Sequence, residues 1–376
     1  MKSIAPLKNR IACFISPHGY GHAARAAAVM EALHQLDPEK EFEIFTEVPE
    51  WFFHHSLSGA FTYRPLLTDI GLVQESSLKV DLAKTAARLD SFLPLQERKI
   101  SELAHVVTER RCRLILCDIS PMGILVARHA GIPSVLIENF TWDWIYEEYA
   151  AECAGLAAHV SYLAELFRTA DFRIQTQPAC RPQNAQLTTS PVSRRARTPR
   201  EDTRGKLGIS PDALVAMITM GGIPETYPFL DQLSKFGDMV FIIPGAGQNA
   251  SKRRNLFLLP HHSEFFHPDL VNASDALIGK VGYSTLSEVY WAGIPFGYIA
   301  RDDFRESPVL ISFIEKNMRG MALSANEFTS GAFASRLRDL FALGRIERKG
   351  LNGAEQAARF LFSLMKKQDR ATSHED

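Results

Sequence analysis

The sequence predicts an α/β protein with two doubly wound, Rossmann-like domains that face a cleft. Three observations lead to this prediction. Short apolar runs alternate with helical segments, the alternation occurs in two separate series, and a polar stretch over 181–204 divides the two series. The chain of 376 residues is also about 2.5 times the length of a typical domain, so two domains are expected.

The first series supplies the elements of the N-terminal domain. Its expected elements are, in order, a strand over 11–15, a helix over 22–36, a strand over 41–46, a long helix over 82–111, a strand over 114–117, a short helix over 123–130 and a strand over 134–137. The opening strand, helix and strand form a parallel βαβ unit with a right-handed crossover. Segment 61–80 mixes polar and apolar residues and is expected to be a loop near the cleft.

The second series repeats this arrangement. Its expected strands cover 214–218, 239–243, 275–278 and 295–299, and a helix follows the third strand through Trp291. The expected divisions are an N-terminal domain over 1–190, a linker over 191–204, a second domain over 205–350, and a C-terminal helix with a polar tail over 351–376. Ligand sites in doubly wound sheets lie at the carboxyl ends of the strands, so we expect the site in the cleft between the domains.

The polar stretch over 181–204 has two interpretations. It contains three prolines, few large apolar residues, and four closely spaced arginines at 194, 195, 197 and 200. The arginines indicate either a phosphate-binding patch or the solvated surface of an interdomain linker. The composition favours the linker.

Composition excludes several classes of function. The formal net charge of -1 and the 46% of hydrophobic residues argue against nucleic-acid binding and against disorder. The five cysteines have no metal-binding or redox spacing and are typical of a reducing compartment. The apolar stretch over 11–15 is too short for a signal peptide, and no segment has the length of a transmembrane helix. We therefore expect a cytoplasmic protein whose membrane contact, if any, is peripheral.

The first candidate site is the turn after the first strand. In the sequence SPHGYGH, Gly19 and Gly21 permit a tight turn close to a ligand, and the following helix begins with free N–H groups. Ala24 breaks the dinucleotide-binding pattern GxGxxG, and no P-loop lysine follows. Because His22 lies between a glycine turn and a helix start, with His18 beside it, a catalytic role is favoured over a structural one.

The second candidate is Asp118, which ends the strand over 114–117. A carboxylate at this position faces the same edge of the sheet as the glycine turn. It either accepts a hydrogen bond from a histidine ring or caps the helix that starts near Pro121, and the sequence supports both roles equally.

The third candidate is the segment GKVGYSTLSE over 279–288, which again places a glycine turn between a strand and a helix. Lys280 supplies a positive charge, while Gly282 and the hydroxyl residues after it supply donors for an anion. Glu288 stands three residues after Thr285, which is the spacing of a capping box. The alternative role of Glu288 is to accept hydrogen bonds from sugar hydroxyls.

These segments resemble the nucleotide-sugar glycosyltransferases of the GT-B fold, which include the peptidoglycan N-acetylglucosaminyltransferase and the UDP-glycosyltransferases. Nearly the whole chain is also similar to the glycosyltransferase-like N-terminal region of plant L-arabinokinase. That similarity rests on HGYGHAAR over 18–25, NFTWDWIYEEY over 139–149 and ASDALIGKVGYSTLSE over 273–288. The second of these segments is the most specific.

The resemblance implies a role for each candidate. His22 corresponds to the base that deprotonates the acceptor hydroxyl, and Asp118 corresponds to the carboxylate partner of that base. The residues implied for the donor diphosphate and nucleotide are Gly221, Gly222, Lys280, Gly282, Tyr283, Ser284, Thr285 and, for the ribose hydroxyls, Glu288. The candidate residues for the acceptor side are His18, Gly19, Gly21, Asn139, Trp142 and Asp143.

The part of the sequence implied for the donor sugar departs from the family pattern. The Asp-Gln pair of the plant-type transferases has no clear equivalent, because Phe304 and Arg305 stand there. Asp302 and Glu306 are the nearest residues that could bind the hydroxyls of the donor sugar.

The aromatic residues of segment 139–149 have two interpretations. Trp142, Trp144 and Tyr146 either stack on an acceptor sugar or belong to the core, and the core is favoured. Asn139 and Asp143 are better acceptor candidates because a polar side chain at these positions has less reason to be buried.

The resemblance thus implies a metal-independent glycosyltransferase. It would move a hexose or similar sugar, with inversion, from a nucleotide-diphosphate sugar to an unidentified hydroxyl acceptor, which is a sugar, a lipid-linked molecule or a small molecule. The nucleotide sugar is a substrate, so no cofactor is expected, and neither is a metal or a nucleic-acid partner. Two alternatives remain open: a sugar-nucleotide epimerase and a non-catalytic sugar- or nucleotide-binding module. The pairing of a base with a carboxylate favours an enzyme.

Overall fold

The computed structural model describes residues 10–75, 79–222 and 226–372, which form two seven-stranded sheets with helices on both faces. The expected fold class, two doubly wound Rossmann-like domains facing a cleft, is confirmed. Residues 1–9 of the expected first domain and residues 373–376 of the expected polar tail lie outside the described residues.

The first sheet is entirely parallel, in the order β3-β2-β1-β4-β5-β6-β7. Its strands are β1 Arg10–Ile15, β2 Glu41–Thr46, β3 Phe61–Pro65, β4 Cys112–Asp118, β5 Ser134–Glu138, β6 Phe172–Thr176 and β7 Leu187–Thr189. The central strands are buried on both faces, which explains their continuous apolar runs. Strand β3 lies within the segment 61–80 that was expected to be a loop.

The helices of this domain are α1 Tyr20–Leu36, α2 Glu50–Ser56, α3 Leu82–Phe92, α4 Glu97–Glu109, α5 Pro121–Ala130, α6 Trp142–Tyr149 and α7 Ala157–Arg168. The expectation of one long helix over 82–111 is wrong, because two helices occupy this stretch. Pro94 lies between them, and a proline removes a backbone donor and disfavours a helical residue before it.

The second sheet has the order β10-β11-β9-β8-β12-β13-β14, and only its β10–β11 pair is antiparallel. Its strands are β8 Leu214–Thr219, β9 Met239–Pro244, β10 Ser251–Arg253, β11 Leu256–Leu259, β12 Ala276–Lys280, β13 Phe296–Ile299 and β14 Gly320–Leu323. The remaining helices are α8 Arg200–Leu207, α9 Leu230–Leu233, α10 His267–Ala273, α11 Tyr283–Ala292, α12 Ser307–Asn317, α13 Ala325–Ser330, α14 Leu337–Ala342 and α15 Gly353–Thr372. Helix α8 crosses the domain boundary expected between 204 and 205.

The last helix returns to the first domain. The α15 side chains Ala357, Ala358 and Leu361 are buried in the core that α1 forms on the first sheet. Asn352 precedes this helix, and its amide nitrogen donates to the backbone oxygen of Ser193 at 3.0 Å. The polar connection between the domains is therefore partly covered by the end of the chain.

Each sheet has a topological switch point: β1 lies between β2 and β4 in the first sheet, and β8 lies between β9 and β12 in the second. In the first sheet Ile15 of β1 pairs with Asp118 of β4, and in the second sheet Thr219 of β8 pairs with Gly279 of β12. A crevice opens at the carboxyl ends of the strands at such a point, and ligands bind there. The glycine turns singled out in the sequence follow these strands, so both domains bring a crevice to the same cleft.

Candidate functional site

A cavity of about 210 Å³ lies between the two domains and contains most of the predicted site residues. The predicted residues that line it are His18, Gly19, Gly21, His22, Asn139, Trp142, Gly221, Gly222, Lys280, Gly282, Tyr283, Ser284, Thr285, Glu288 and Glu306. Three others, Asp118, Asp143 and Asp302, are not part of its lining.

Two helix N-termini meet in this cavity. Helix α1 starts after Gly19, whose φ is 71°, and helix α11 starts after Gly282; neither helix has a side-chain hydrogen bond at its N-cap. A Cβ placed on Gly21 would lie 3.5 Å from Ser284 Oγ, so the two helix starts are close neighbours. The first turns of both helices therefore direct free backbone N–H groups and positive dipole ends towards one volume.

The second domain adds a lysine to this electropositive volume. A Cβ on Gly221 would lie 3.3 Å from Lys280 Cε, which places the lysine over the turn that follows β8. At Gly221 φ is 77°, a conformation that favours glycine. The arrangement of two helix starts and one lysine suits an anion with several oxygens.

His22 and Asp118 form a hydrogen-bonded pair on the other side of the cavity. His22 Nδ1 and Asp118 Oδ1 are 3.0 Å apart. Asp118 is fully buried behind His22, whereas His22 reaches the cavity. The alternative role for Asp118, as cap of helix α5, is wrong because Ser120 occupies the N-cap position. When Nδ1–H donates to the carboxylate, Nε2 is left as the basic nitrogen.

Arg25, which the sequence analysis did not identify, is the third member of this cluster. Its Nε donates to Asp118 Oδ2 at 2.9 Å and its Nη2 donates to Asp118 Oδ1 at 2.6 Å. Its Nη1 donates to Asn139 Oδ1 at 2.6 Å. Burial raises the pKa of Asp118, but the ion pair and hydrogen bonds with Arg25, together with His22, outweigh it and lower that pKa. Asp118 is thus an ionised carboxylate held in a fixed orientation.

Arg25 also links the two domains. Its guanidinium lies 5.1 Å from the ring centroid of Tyr283, the first residue of α11. Tyr283 packs in the core of the first domain, and its hydroxyl accepts a hydrogen bond from the Val192 backbone at 3.0 Å. The only sequence signal for Arg25 is its spacing, because a residue three positions after His22 lies on the same face of a helix.

Glu288 is engaged by two side chains. Its Oε1 accepts from Arg194 Nη2 at 2.9 Å, and its Oε2 lies 2.8 Å from His267 Nδ1. Burial raises the pKa of Glu288, but the charges and hydrogen bonds of Arg194 and His267 outweigh it and lower the pKa to about 2. The capping-box interpretation of Glu288 is wrong, because α11 has Gly282 at its N-cap and Glu288 lies beyond its first turn.

The four arginines of the expected linker are all engaged by protein groups. Arg194 binds Glu288, Arg195 binds Glu355, Arg197 binds backbone oxygens of residues 55–56, and Arg200 binds Asp275. Only Arg194 lines the cavity. Arg194, Arg195 and Arg197 also line a second cavity together. Because all four side chains are engaged, the connection is pinned to both domains rather than freely solvated.

The segment expected to bind the donor sugar is only partly in the cavity. Glu306 and Arg301 are buried and line the cavity, whereas Asp302 is exposed outside it. Arg305 turns away from the cavity and forms ion pairs with Glu147 and Glu148. Sequence reasoning missed Arg301, since an arginine beside two aspartates is typical of a solvated surface loop.

The acceptor-side candidates are more buried than expected. Asn139 is 1% exposed and Asp143 is 6% exposed, so the expectation that these polar residues would avoid burial is wrong. Arg25 satisfies Asn139, and Arg181 Nη1 lies 3.6 Å from Asp143. Trp142 is buried in the core but also forms part of the cavity wall. Trp144 and Tyr146 are core residues, as favoured.

An aromatic cluster at the edge of the cavity was not predicted. Tyr20 stacks on Phe52 with a centroid separation of 5.3 Å, and Trp51 stacks on His262 of the second domain at 4.5 Å. A Cβ on Gly222 would lie 2.3 Å from the Tyr20 ring, so only glycine accommodates this contact between the domains. The sequence signal was the aromatic density of residues 50–55.

Two further properties concern all three described ranges, 10–75, 79–222 and 226–372. Within them, no helix has both the length and the apolar character needed to cross a membrane. Nor do three or more His, Cys, Asp or Glu side chains come together there in a group that could hold a metal ion.

Comparisons with known proteins agree with this architecture. No family model matches the chain. L-arabinokinase from Arabidopsis thaliana is 29% identical to it over 359 residues, which cover 93% of this chain and 34% of that protein. The chain thus spans about a third of the length of the curated relative that it matches.

Solved glycosyltransferases share the fold. A UDP-glucosyltransferase from Polygonum tinctorium is 11% identical, with a TM-score of 0.59 over 94% of this chain and 98% of that one. The glycosyltransferase SsfS6 from Streptomyces sp. SF2575 is 15% identical, with a TM-score of 0.57 over 94% of this chain and 99% of that one. The resemblance is confirmed at the level of the fold: the chain has the GT-B fold of these glycosyltransferases.

Proposed function

We propose that the protein is a glycosyltransferase that moves a sugar from a nucleotide-diphosphate sugar to a hydroxyl acceptor with inversion. One observation carries the proposal: a His22–Asp118 pair from the first domain and two uncapped helix N-termini with Lys280 open into the same cavity. The first group suits the removal of a proton, and the second suits an anionic leaving group. A transfer from a nucleotide sugar requires both in one place.

In this proposal His22 acts as the base for the acceptor. Nε2 takes the proton of the acceptor hydroxyl as its oxygen attacks the anomeric carbon, and the bond from that carbon to the diphosphate oxygen breaks. Asp118 and Arg25 keep the imidazole in one orientation, which supports proton transfer along a single direction. Attack opposite to the leaving group inverts the anomeric configuration.

The second domain would hold the donor. The N–H groups at the start of α11, Ser284 and Thr285 beside them, and Lys280 would stabilise the charge that develops on the leaving diphosphate. Gly221 and Gly222 would let the diphosphate approach the backbone after β8. Glu288 would accept hydrogen bonds from the ribose, since a carboxylate bound by Arg194 and His267 still has lone pairs free. The proposal includes no resident cofactor or metal.

The test is release of nucleoside diphosphate from a panel of nucleotide sugars in the presence of mixed sugar, lipid-linked and phenolic acceptors. We expect His22→Ala to lower turnover by about 10²–10⁴-fold, the usual contribution of a positioned base, while donor affinity is kept. His129→Ala is the matched control, since His129 is exposed at the end of α5. Unchanged turnover in His22→Ala would remove His22 from the mechanism. Conversion of the donor sugar without any acceptor would replace the transferase with an epimerase.

A further inference from the structure

Arg301 is a buried arginine whose donors are largely unused. Its side chain follows β13, is 5% exposed and lines the cavity. Among the described residues, its Nε and Nη2 atoms have no hydrogen-bond partner. Its guanidinium carbon lies 3.2 Å from the centroid of the Phe304 ring, which holds the planar group in place. Because an unsatisfied buried charge is costly, these donors indicate a ligand that supplies acceptors.

Glu306 presents the complementary group. It is 6% exposed, and its Oε2 also lacks a hydrogen-bond partner within the part of the chain that the structure describes. Glu306 Oε1 and Arg301 Nη1 are 3.9 Å apart, which is close enough for attraction between the charges but too long for a hydrogen bond. The two side chains therefore balance each other's charge without using each other's hydrogen-bonding capacity.

The balance of charge decides what kind of ligand fits. Burial lowers the pKa of Arg301 to about 10, so its guanidinium stays protonated at neutral pH. Burial raises the pKa of Glu306, although Arg301 and other nearby cations oppose the rise. When Glu306 carries its charge, the pair is neutral, and a ligand carboxylate would place a second negative charge beside it. A hydroxyl group avoids this penalty because it accepts from the arginine and donates to the carboxylate.

The walls of this corner are aromatic. His18 lies between Trp142 and Phe304, with ring centroids at 5.1 and 6.2 Å, and its Nε2 has no partner among the residues described. Burial and the nearby positive charges lower the pKa of His18 well below its usual value, so the ring is neutral. Flat apolar walls with a few polar atoms suit a sugar ring, which has C–H faces and hydroxyl edges.

We propose that Arg301 and Glu306 bind two neighbouring hydroxyl groups of an uncharged donor sugar, and that they select against uronic acids. Arg301 donates to the oxygen of one hydroxyl, and Glu306 accepts the proton of the other. The inference rests on the proposed function and deepens it by naming the class of sugar. His22 lines the same cavity, so the bound sugar lies beside the base.

The test is calorimetric, with three probes that share one base: the nucleoside diphosphate, its glucose conjugate and its glucuronic acid conjugate. We expect Arg301→Lys and Glu306→Gln each to lower the affinity for the glucose conjugate about tenfold. The affinity of each variant for the bare diphosphate should stay within twofold of the wild-type value. Wild type should bind the glucuronic acid conjugate about tenfold more weakly than the glucose conjugate. Glu306→Gln should reduce this difference in affinity. Asp303→Asn is the control, since Asp303 is exposed in the same segment.

The outcomes separate the two proposals. Two results would overturn the neutral-sugar assignment and leave the transferase proposal standing. One is that wild type binds the glucuronic acid conjugate more tightly than the glucose conjugate. The other is that both variants lose as much affinity for the bare diphosphate as for the glucose conjugate. Failure of wild type to bind any nucleotide would overturn both. Thermal unfolding of each variant shows whether a loss of binding reflects a loss of folded protein.

Discussion

At the scale of single residues, the interior behind the cavity contains carboxyl groups in opposite states. Asp118 has Arg25 and His22 as partners and a lowered pKa. Asp69 is also buried, and its Oδ1 accepts a hydrogen bond from Ser16 Oγ at 2.9 Å, but no cation within the described ranges offsets its burial. Burial raises the pKa of Asp69 to about 8, although the hydrogen bond from Ser16 opposes the rise. The presence or absence of an arginine thus decides which carboxyl group is charged.

Asp69 gives the protein a pH-dependent stability. Its pKa in the folded protein, about 8, lies above the ordinary value of 3.8, so between these values the folded state retains a proton that the unfolded chain releases. The free energy of unfolding therefore falls as the pH rises from about 4 to about 8, and at 1.36 kcal/mol per pKa unit the whole fall is roughly 6 kcal/mol.

Asp69→Asn should abolish this fall and stabilise the protein above pH 7, as measured by urea unfolding at several pH values. Asp302→Asn is the control, because Asp302 is exposed. A wild-type stability that stays level or increases between pH 5 and pH 8, with no gain from Asp69→Asn, would contradict the assignment.

The sequence predicted the location of a residue correctly where that residue stands at or just after the end of a central strand. His22 and Asp118 were expected at the same edge of the sheet, with a hydrogen bond to a histidine as one of two roles for Asp118, and His22 Nδ1 lies 3.0 Å from Asp118 Oδ1. Arg25 and Arg301 were missed because sequence patterns show charge but not burial, and an arginine is usually exposed. Asp302 and Glu306 are close in sequence, yet only Glu306 faces the cavity, which depends on the path of the loop after β13.

At the scale of elements, helices α5 and α11 end in the same way but in different surroundings. Gly131 follows α5 with φ 66°, and Gly293 follows α11 with φ 68°. A Cβ on Gly131 would meet nothing within 4 Å, whereas a Cβ on Gly293 would lie 1.9 Å from the Ile346 backbone oxygen. Helix α11 carries the proposed diphosphate site at its N-terminus. Its C-terminus is therefore fixed by the close approach of the Gly293 and Ile346 backbones.

This pair makes a matched comparison. Gly131→Ala should cost about 1–2 kcal/mol of stability, the cost of a left-handed conformation for a residue with a Cβ. Gly293→Ala should cost a further 1–3 kcal/mol because the backbone at Ile346 must also move. Chemical unfolding of both variants measures the difference directly. Equal losses of stability in the two variants would contradict this expectation, because they would show that the backbone at Ile346 moves away from the new Cβ without an energetic cost.

The elements themselves were predicted best where the pattern is local. The strands β1, β2, β4, β5, β8, β9, β12 and β13 were expected within three residues of their bounds, because buried parallel strands are short apolar runs. Strands β3, β6, β7, β10, β11 and β14 were not among the expected strands. They are short or partly polar, and their pairing is set by neighbouring strands rather than by their own sequence.

At the scale of the whole molecule, contacts of several kinds hold the two domains around the cleft. Tyr20 packs on Gly222, Tyr283 of the second domain enters the core of the first, and helix α15 returns across the linker to cover α1. These contacts bring the two crevices into one cavity. The sequence predicted two domains and a cleft, but the packing of α15 is a long-range contact that no local pattern reveals.

The most direct test of the proposed donor site is calorimetric titration of the protein with UDP, GDP, dTDP and ADP. We expect one nucleoside diphosphate to bind and Lys280→Ala to weaken its binding about tenfold or more, because the lysine faces the proposed anion site between two helix starts. Lys316→Ala, on an exposed position of α12, should bind as the wild type does. Binding of none of the four, or equal binding by Lys280→Ala and the wild type, would contradict the donor site on which the proposed transfer depends.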